Sequence, residues 1–123
     1  MKYESFFSSE ADGLPISVMA VIPDQKPCRA VIQLVHGMSE HKERYLPFMK
    51  YLAEQGYISV IHDHRGHGKS VRYKEDLGYM YGGKAEALLQ DIRTVNRKIH
   101  TKFPKLPVIL MGHSMGSLAV RAF

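Results

Sequence analysis

At 123 residues, with 45% apolar and 24% charged side chains, the chain has the size and make-up of one soluble globular domain with a modest core. No apolar run approaches the roughly 18 residues of a membrane helix, and the N-terminal Met-Lys-Tyr-Glu-Ser-Phe-Phe lacks the apolar segment of a signal peptide. The single cysteine, Cys28, excludes an internal disulfide and points to a reducing, cytoplasmic setting, while the net charge of +5 raises the question of an anionic partner.

Lys2 to Ser8 and Leu14 to Ile22 read as two strands joined by a turn at Ala11-Asp12-Gly13. After a loop from Pro23 to Pro27, the β-branched run Ala30 to Val35 predicts a buried strand that ends directly in His36-Gly37. Pro47 suits a first helical position, with Leu46, Met49, Leu52 and Ala53 on one face and Gly56 past the end. Tyr57 to Ile61 is the next strand, followed by a long polar loop from Asp63 to Gly83 and a helix from Lys84 to Lys102. Pro107 to Met111 is the fifth strand, and Ser114 opens a further helical stretch. Arg93, Arg97, Lys98, Lys102 and Lys105 lie opposite Leu88, Ile92, Val95, Ile99 and Phe103, so the excess positive charge reads as a solvated helix face. No nucleic-acid recognition motif accompanies it, and nucleic acid is not expected as a partner; peripheral contact with an anionic membrane is compatible with it.

After the opening pair, strands and helices alternate, which argues for a mostly parallel sheet flanked by helices. Chemistry in such sheets gathers beyond the carboxyl ends of the strands. Three groups fall there: His36 to His41, Asp63 to Ser70, and Gly112 to Gly116.

Gly112-His113-Ser114-Met115-Gly116 is G-x-S-x-G between a buried strand and a helical stretch, the context a nucleophile elbow requires. Gly112 and Gly116 let the two backbones approach closely while the serine hydroxyl projects clear of the sheet. Ester hydrolysis passes through an oxyanion that needs two preorganised N–H donors. In this architecture one is the amide after the nucleophile, here Met115, and the other comes from the loop after the third strand, here Met38. His113 neighbours the serine and is expected to point away from its reacting face.

His36-Gly-Met-Ser-Glu40-His41 with Arg44-Tyr45, Asp63-His-Arg-Gly66-His-Gly68-Lys-Ser70, and Gly112-His-Ser-Met-Gly116 closely resemble the monoacylglycerol lipase and lysophospholipase group of the α/β-hydrolase superfamily, the serine aminopeptidase S33-like, hydrolase_4 type. The resemblance runs through essentially the whole chain. It implies an α/β-hydrolase fold, Ser114 as nucleophile, Met38 and Met115 amides as oxyanion hole, and a small lipid ester as substrate. It also implies that Asp63 to Ser70 is a structural turn, and that Glu40 and Arg44 form an ion pair beside the substrate. An (i, i+4) pair that only braces the loop accounts for Glu40 and Arg44 equally well.

His62, His64 and His67 invite a metal reading, but zinc sites need three or four ligands in fixed geometry, and neither metal nor cofactor is expected. Gly66 to Ser70 imitates the end of a phosphate-binding P-loop, yet the position that must be glycine holds Asp63. The triad of this architecture runs Ser, then Asp or Glu, then His. All seven histidines precede Ser114, and no carboxylate follows it. The expectation is therefore the N-terminal part of a single domain, cut after the elbow, without its later strands, lid, acid and histidine. Such a segment is expected to be inactive alone and to self-associate. Alternatives within the fold are a general carboxylesterase or thioesterase; outside it, a non-catalytic binding or assembly partner.

Overall fold

The computed structural model describes residues 1–10, 12–24, 27–37, 41–65, 67–70 and 84–112. Among the described residues five strands form one sheet: β1 (Lys2–Ser8), β2 (Pro15–Val21), β3 (Ala30–Val35), β4 (Tyr57–His62) and β5 (Val108–Gly112). Their spatial order is β1-β2-β4-β3-β5. β3 runs parallel to both β4 and β5, whereas the opening hairpin joins antiparallel through β2 and β4. The sheet is thus parallel where the strand-end motifs lie and antiparallel at its far edge.

The hairpin turn closes with Ser9 N–H donating to the Leu14 carbonyl at 2.8 Å and Gly13 N–H to the Ser9 carbonyl at 2.8 Å. Gly13 has φ +76°, a left-handed conformation that costs glycine nothing. Helix α1 (Leu46–Glu54) starts one residue before Pro47, and Gly56 follows it at φ +90°. A 3-10 helix over Lys42–Tyr45, absent from the periodicity of the sequence, leads into it. Helix α2 spans Lys84–Lys102, the range its spacing predicts.

β3 is buried along its whole length, and its alternation divides two cores. Ile32 and Leu34 join Met19, Val21 and Ile61 beneath Met49 and Leu52 of α1. On the other face Val31, Ile58 and Val60 pack against Val95 and Ile99, and Val35 against Leu88 and Ile92. Gln33 also faces α2, donating to the Ile92 carbonyl at 3.1 Å and accepting from Asn96 at 3.1 Å. Paired in this way, a buried amide adds register without an unsatisfied group. Arg93, Arg97, Lys98 and Lys102 are exposed on α2; Arg97 pairs with Glu10 at 2.6 Å, and Lys98 lies over the Phe7 ring.

Candidate active site

The parallel pairing sets Val35 opposite Gly112, so the chain leaves β3 and β5 side by side. β4 runs on through His62, one residue beyond the apolar run, and ends on the other side of β3. His36, Gly37, Arg44, Asp63, Gly68 and Gly112 are all described at this end of the sheet. Met38, Glu40, Gly66, His113, Ser114, Met115 and Gly116 lie outside the described residues, as does the helical stretch after Ser114.

The first turn after β4 is tied to the first turn after β3 by a reciprocal pair of bonds. His64 N–H donates to His36 Nε2 at 2.9 Å, and His64 Nε2–H returns to the His36 carbonyl at 2.8 Å. A nitrogen that accepts carries no proton, so the neutral His36 ring holds its proton on Nδ1, which donates to the Gly37 carbonyl at 2.7 Å. The two rings sit 4.1 Å apart, centroid to centroid.

Asp63 is the hub of the β4 turn. Its carboxylate accepts Lys42 N–H at 2.7 Å and Lys69 N–H at 3.0 Å, and faces the Lys42 ammonium at 3.4 Å. Both side chains of that pair are fully buried. Ser70 Oγ donates to the Asp63 carbonyl at 2.7 Å and accepts Ser17 N–H at 2.8 Å, which fastens the turn to β2. Gly68 adopts φ +49°, and a Cβ there would lie 2.4 Å from the Asp63 carboxylate. Only glycine fits.

Arg65, with no exposed side-chain surface, clasps two other segments, the hairpin turn and α2. It forks onto Asp12 with two bonds of 3.0 Å, donates from Nε to Asp91 at 3.0 Å, and reaches Ser9 Oγ at 3.0 Å. Ser9 in turn donates to Asp91 at 2.6 Å. Burial pushes the Asp91 carboxyl up, against the opposing pull of Ser9 and Arg65. Sequence reading did not single out Arg65, Lys42 or Asp91. Charged residues at these three positions carry no local signal of burial, since what buries them lies far away in sequence.

Electrostatically the centre of this end is neutral and its rim is charged. Burial, reinforced by His36, pushes His62 down to about 3. Burial also holds His64 well below its ordinary range, with His62 and His36 adding to the effect. Burial works to raise the Glu43 carboxyl, but its 2.5 Å bond to Lys42 and the charges of Lys42 and Lys69 hold it below its ordinary value. Among the described residues, no group of three or more His, Cys, Asp or Glu is placed to hold a metal ion. The ring nitrogens of His36, Nε2 of His64 and Nδ1 of His67 are engaged with backbone groups.

A cavity of about 390 Å³ opens between the ends of β3 and β5 and the start of α1, lined by Leu34, Val35, Met111, Gly112, Arg44 and Phe48 among others. Arg44 thus faces the space beside Gly112, an apolar hollow with one cation at its margin. A second hollow of about 400 Å³, between the hairpin and the C-terminal half of α2, touches none of the motif residues.

A mixed sheet with helices on both faces, and motif loops at the carboxyl ends of parallel strands, defines an α/β-hydrolase. The family model Hydrolase_4, described as serine aminopeptidase, S33, matches residues 26–123. The chain belongs to that family. It is 36% identical over 107 residues to a monoacylglycerol lipase of Mycolicibacterium smegmatis, covering 82% of this chain and 34% of the relative. Human monoglyceride lipase is 32% identical over 88 residues, covering 72% of this chain and 27% of the relative. A thermostable carboxyl esterase from Bacillus coagulans, solved with glycerol, superposes with a TM-score of 0.86 at 32% identity, covering 98% of this chain and 39% of that one. The chain therefore spans about a third of the length of the relatives it matches.

Proposed function

We propose that this chain is the N-terminal part of a single α/β-hydrolase domain whose complete form hydrolyses the ester of a small lipid, such as a monoacylglycerol or lysophospholipid. Ser114 attacks the ester carbonyl, the Met38 and Met115 amides hold the resulting oxyanion, and collapse expels the alcohol to leave an acyl-serine. Water then releases the fatty acid. The acid and histidine that activate Ser114 belong to the chain beyond Phe123, in the order this architecture uses. The observation that carries the reading is the Val35–Gly112 pairing, because it sets the start of the first motif, His36-Gly37, beside the start of the third, Gly112. The cavity beside Gly112 supports a substrate with an apolar part, and Arg44 at its margin supports contact with a polar head group.

The B. coagulans esterase favours a second reading, a general carboxylesterase with no lipid preference. Turnover of monoacylglycerol, lysophospholipid and short-chain aryl esters by the full-length enzyme separates the two. Among the described residues no helix is long and apolar enough to cross a membrane. A cytoplasmic enzyme that meets its lipid through the basic face of α2 fits that observation. Intact mass after treatment with a serine-directed phosphonate tests the mechanism. One adduct is expected on the wild type and none on Ser114→Ala, with kcat lowered roughly 10³-fold or more in that variant. An adduct that persists on Ser114→Ala overturns the assignment.

A further inference from the structure

The two faces of β2 are finished differently. Met19 and Val21, beneath α1, are buried, whereas Val18, Ala20 and Ile22, on the face toward α2, are only half-buried. Helix α2 packs on Val31, Ile58 and Val60 of the neighbouring strands and leaves the hairpin side of the sheet partly uncovered. The gap is the hollow of about 400 Å³, floored by Val18, Ala20 and Ile22 and roofed by Val95, Ile99 and Phe103. Its volume lies within the roughly 300–1,000 Å³ of small-molecule sites. From Val18 to Ile22 the strand advances about 13 Å, and from Val95 to Phe103 the helix advances about 12 Å, which suits a medium acyl chain laid lengthwise.

The rim of this slot is cationic. Lys98 and Lys102, one helical turn apart and both exposed, border it, and the Lys98 ammonium stands 5.5 Å from the centre of the Phe7 ring. Among the described residues neither ammonium pairs with a carboxylate, whereas their neighbour Arg97 is bonded to Glu10 at 2.6 Å. Two uncompensated cations at the mouth of an apolar slot match a ligand with an anionic head and a hydrocarbon tail. A peptide fits less well, because its backbone groups would need partners and the floor and roof side chains are hydrocarbon.

We propose that this hollow binds a medium-chain fatty acid anion, with its carboxylate between Lys98 and Lys102 and its chain along Val18, Ala20 and Ile22. It shares no lining residue with the cavity beside Gly112, so it is a second site and not an extension of the first. The hydrolysis proposed above would generate such a ligand, but the site stands on its own lining, independently of Ser114.

Calorimetric titration of the full-length enzyme, first treated with a serine-directed phosphonate to close the Ser114 site, tests this. Decanoate should bind saturably. Decanol should bind about tenfold or more weaker, and decyltrimethylammonium weaker still, because only an anion gains charge-assisted bonds to the two ammonium groups. Both lysines are exposed, so Lys98→Gln combined with Lys102→Gln leaves the fold intact. In that double variant decanoate should bind no better than decanol, while the affinity for decanol is unchanged. No saturable binding of decanoate, equal affinity for decanoate and decanol in the wild type, or an unchanged decanoate affinity in the double variant overturns the proposal. A double variant that loses only its binding to phosphatidylcholine–phosphatidylglycerol vesicles also overturns it, since the lysines then serve a membrane surface. The lysine pair reads the hollow and the phosphonate adduct, weighed as intact mass, reads Ser114, so failure of the one is distinguishable from failure of the other.

Discussion

Replacing His62 with leucine should make the protein resist acid. Neither ring nitrogen of His62 meets a hydrogen-bond partner among the described residues, and the side chain is fully buried on β4. Its pKa is pushed from 6.5 down to about 3, by burial first and by His36 second. Above pH 6.5 neither the folded nor the unfolded chain binds a proton here, and the full stability is present. As pH falls below 6.5 the unfolded chain takes up a proton that the folded chain refuses until near pH 3. Stability is lost across that window at about 1.4 kcal/mol per pH unit. At pH 5 the deficit from His62 is about 2 kcal/mol, and it stays near that figure for any folded pKa below about 4.5. Leucine removes the site, while a pH-independent packing offset of up to about 1.5 kcal/mol moves both ends of the comparison equally. Urea unfolding of wild type and His62→Leu at pH 7.5 and pH 5 isolates the titration. The variant should lose about 2 kcal/mol less between the two, roughly 1 M in urea midpoint. Identical losses in the two proteins would refute a buried neutral His62.

Gly68→Ala should cost about 2 kcal/mol or more, since it combines a left-handed φ with a Cβ 2.4 Å from the Asp63 carboxylate; an unchanged melting temperature would show that the turn relaxes freely. Arg65→Lys should cost about 2–3 kcal/mol because an ammonium cannot reproduce the fork onto Asp12 together with the bonds to Asp91 and Ser9; a loss below about 0.5 kcal/mol in urea unfolding would contradict the clasp. The isolated 123-residue segment should show no Ser114-dependent turnover of an aryl ester and should elute as oligomers. Among the described residues β5 pairs only with β3, and Ile109 and Met111 are 47% and 40% exposed. A monomer with a cooperative melt would contradict the second expectation.

What the sequence made legible were the elements whose signal is local. Ala30 to Val35 is apolar and rich in β-branched residues except for Gln33, and Leu88, Ile92, Val95 and Ile99 recur at helical spacing, so both elements appear where the pattern puts them. Strand ends were less legible. β4 includes His62 because the sheet buries it, although histidine at the end of an apolar run looks like the start of a loop. The 3-10 helix over Lys42–Tyr45 was not legible at all. Its lysine can be buried because Asp63, distant in sequence, accepts its backbone N–H and pairs with its ammonium, to which Glu43 also bonds. Of the candidate site, the motifs named the residues and the strand ends that present them. The bonds that stiffen the site run from His36 to His64 and from Arg65 to Ser9, Asp12 and Asp91, and no local pattern encodes pairings of that range.

The order of strands in space also sets an order in time. β1, β2, β3 and β4 can pair as soon as they have emerged from the ribosome, but β5 follows all four in sequence and takes the other side of β3. Until Gly112 has been synthesised, that side of the most buried strand presents bare backbone groups and apolar side chains to the cell. Closing so long a loop is slow, and an unpaired central edge is the kind of surface that chaperones bind and aggregates grow from. Synthesis paused before Val108 would therefore yield a sticky nascent chain, and the cleft between β3 and β5 comes into being only when β5 docks.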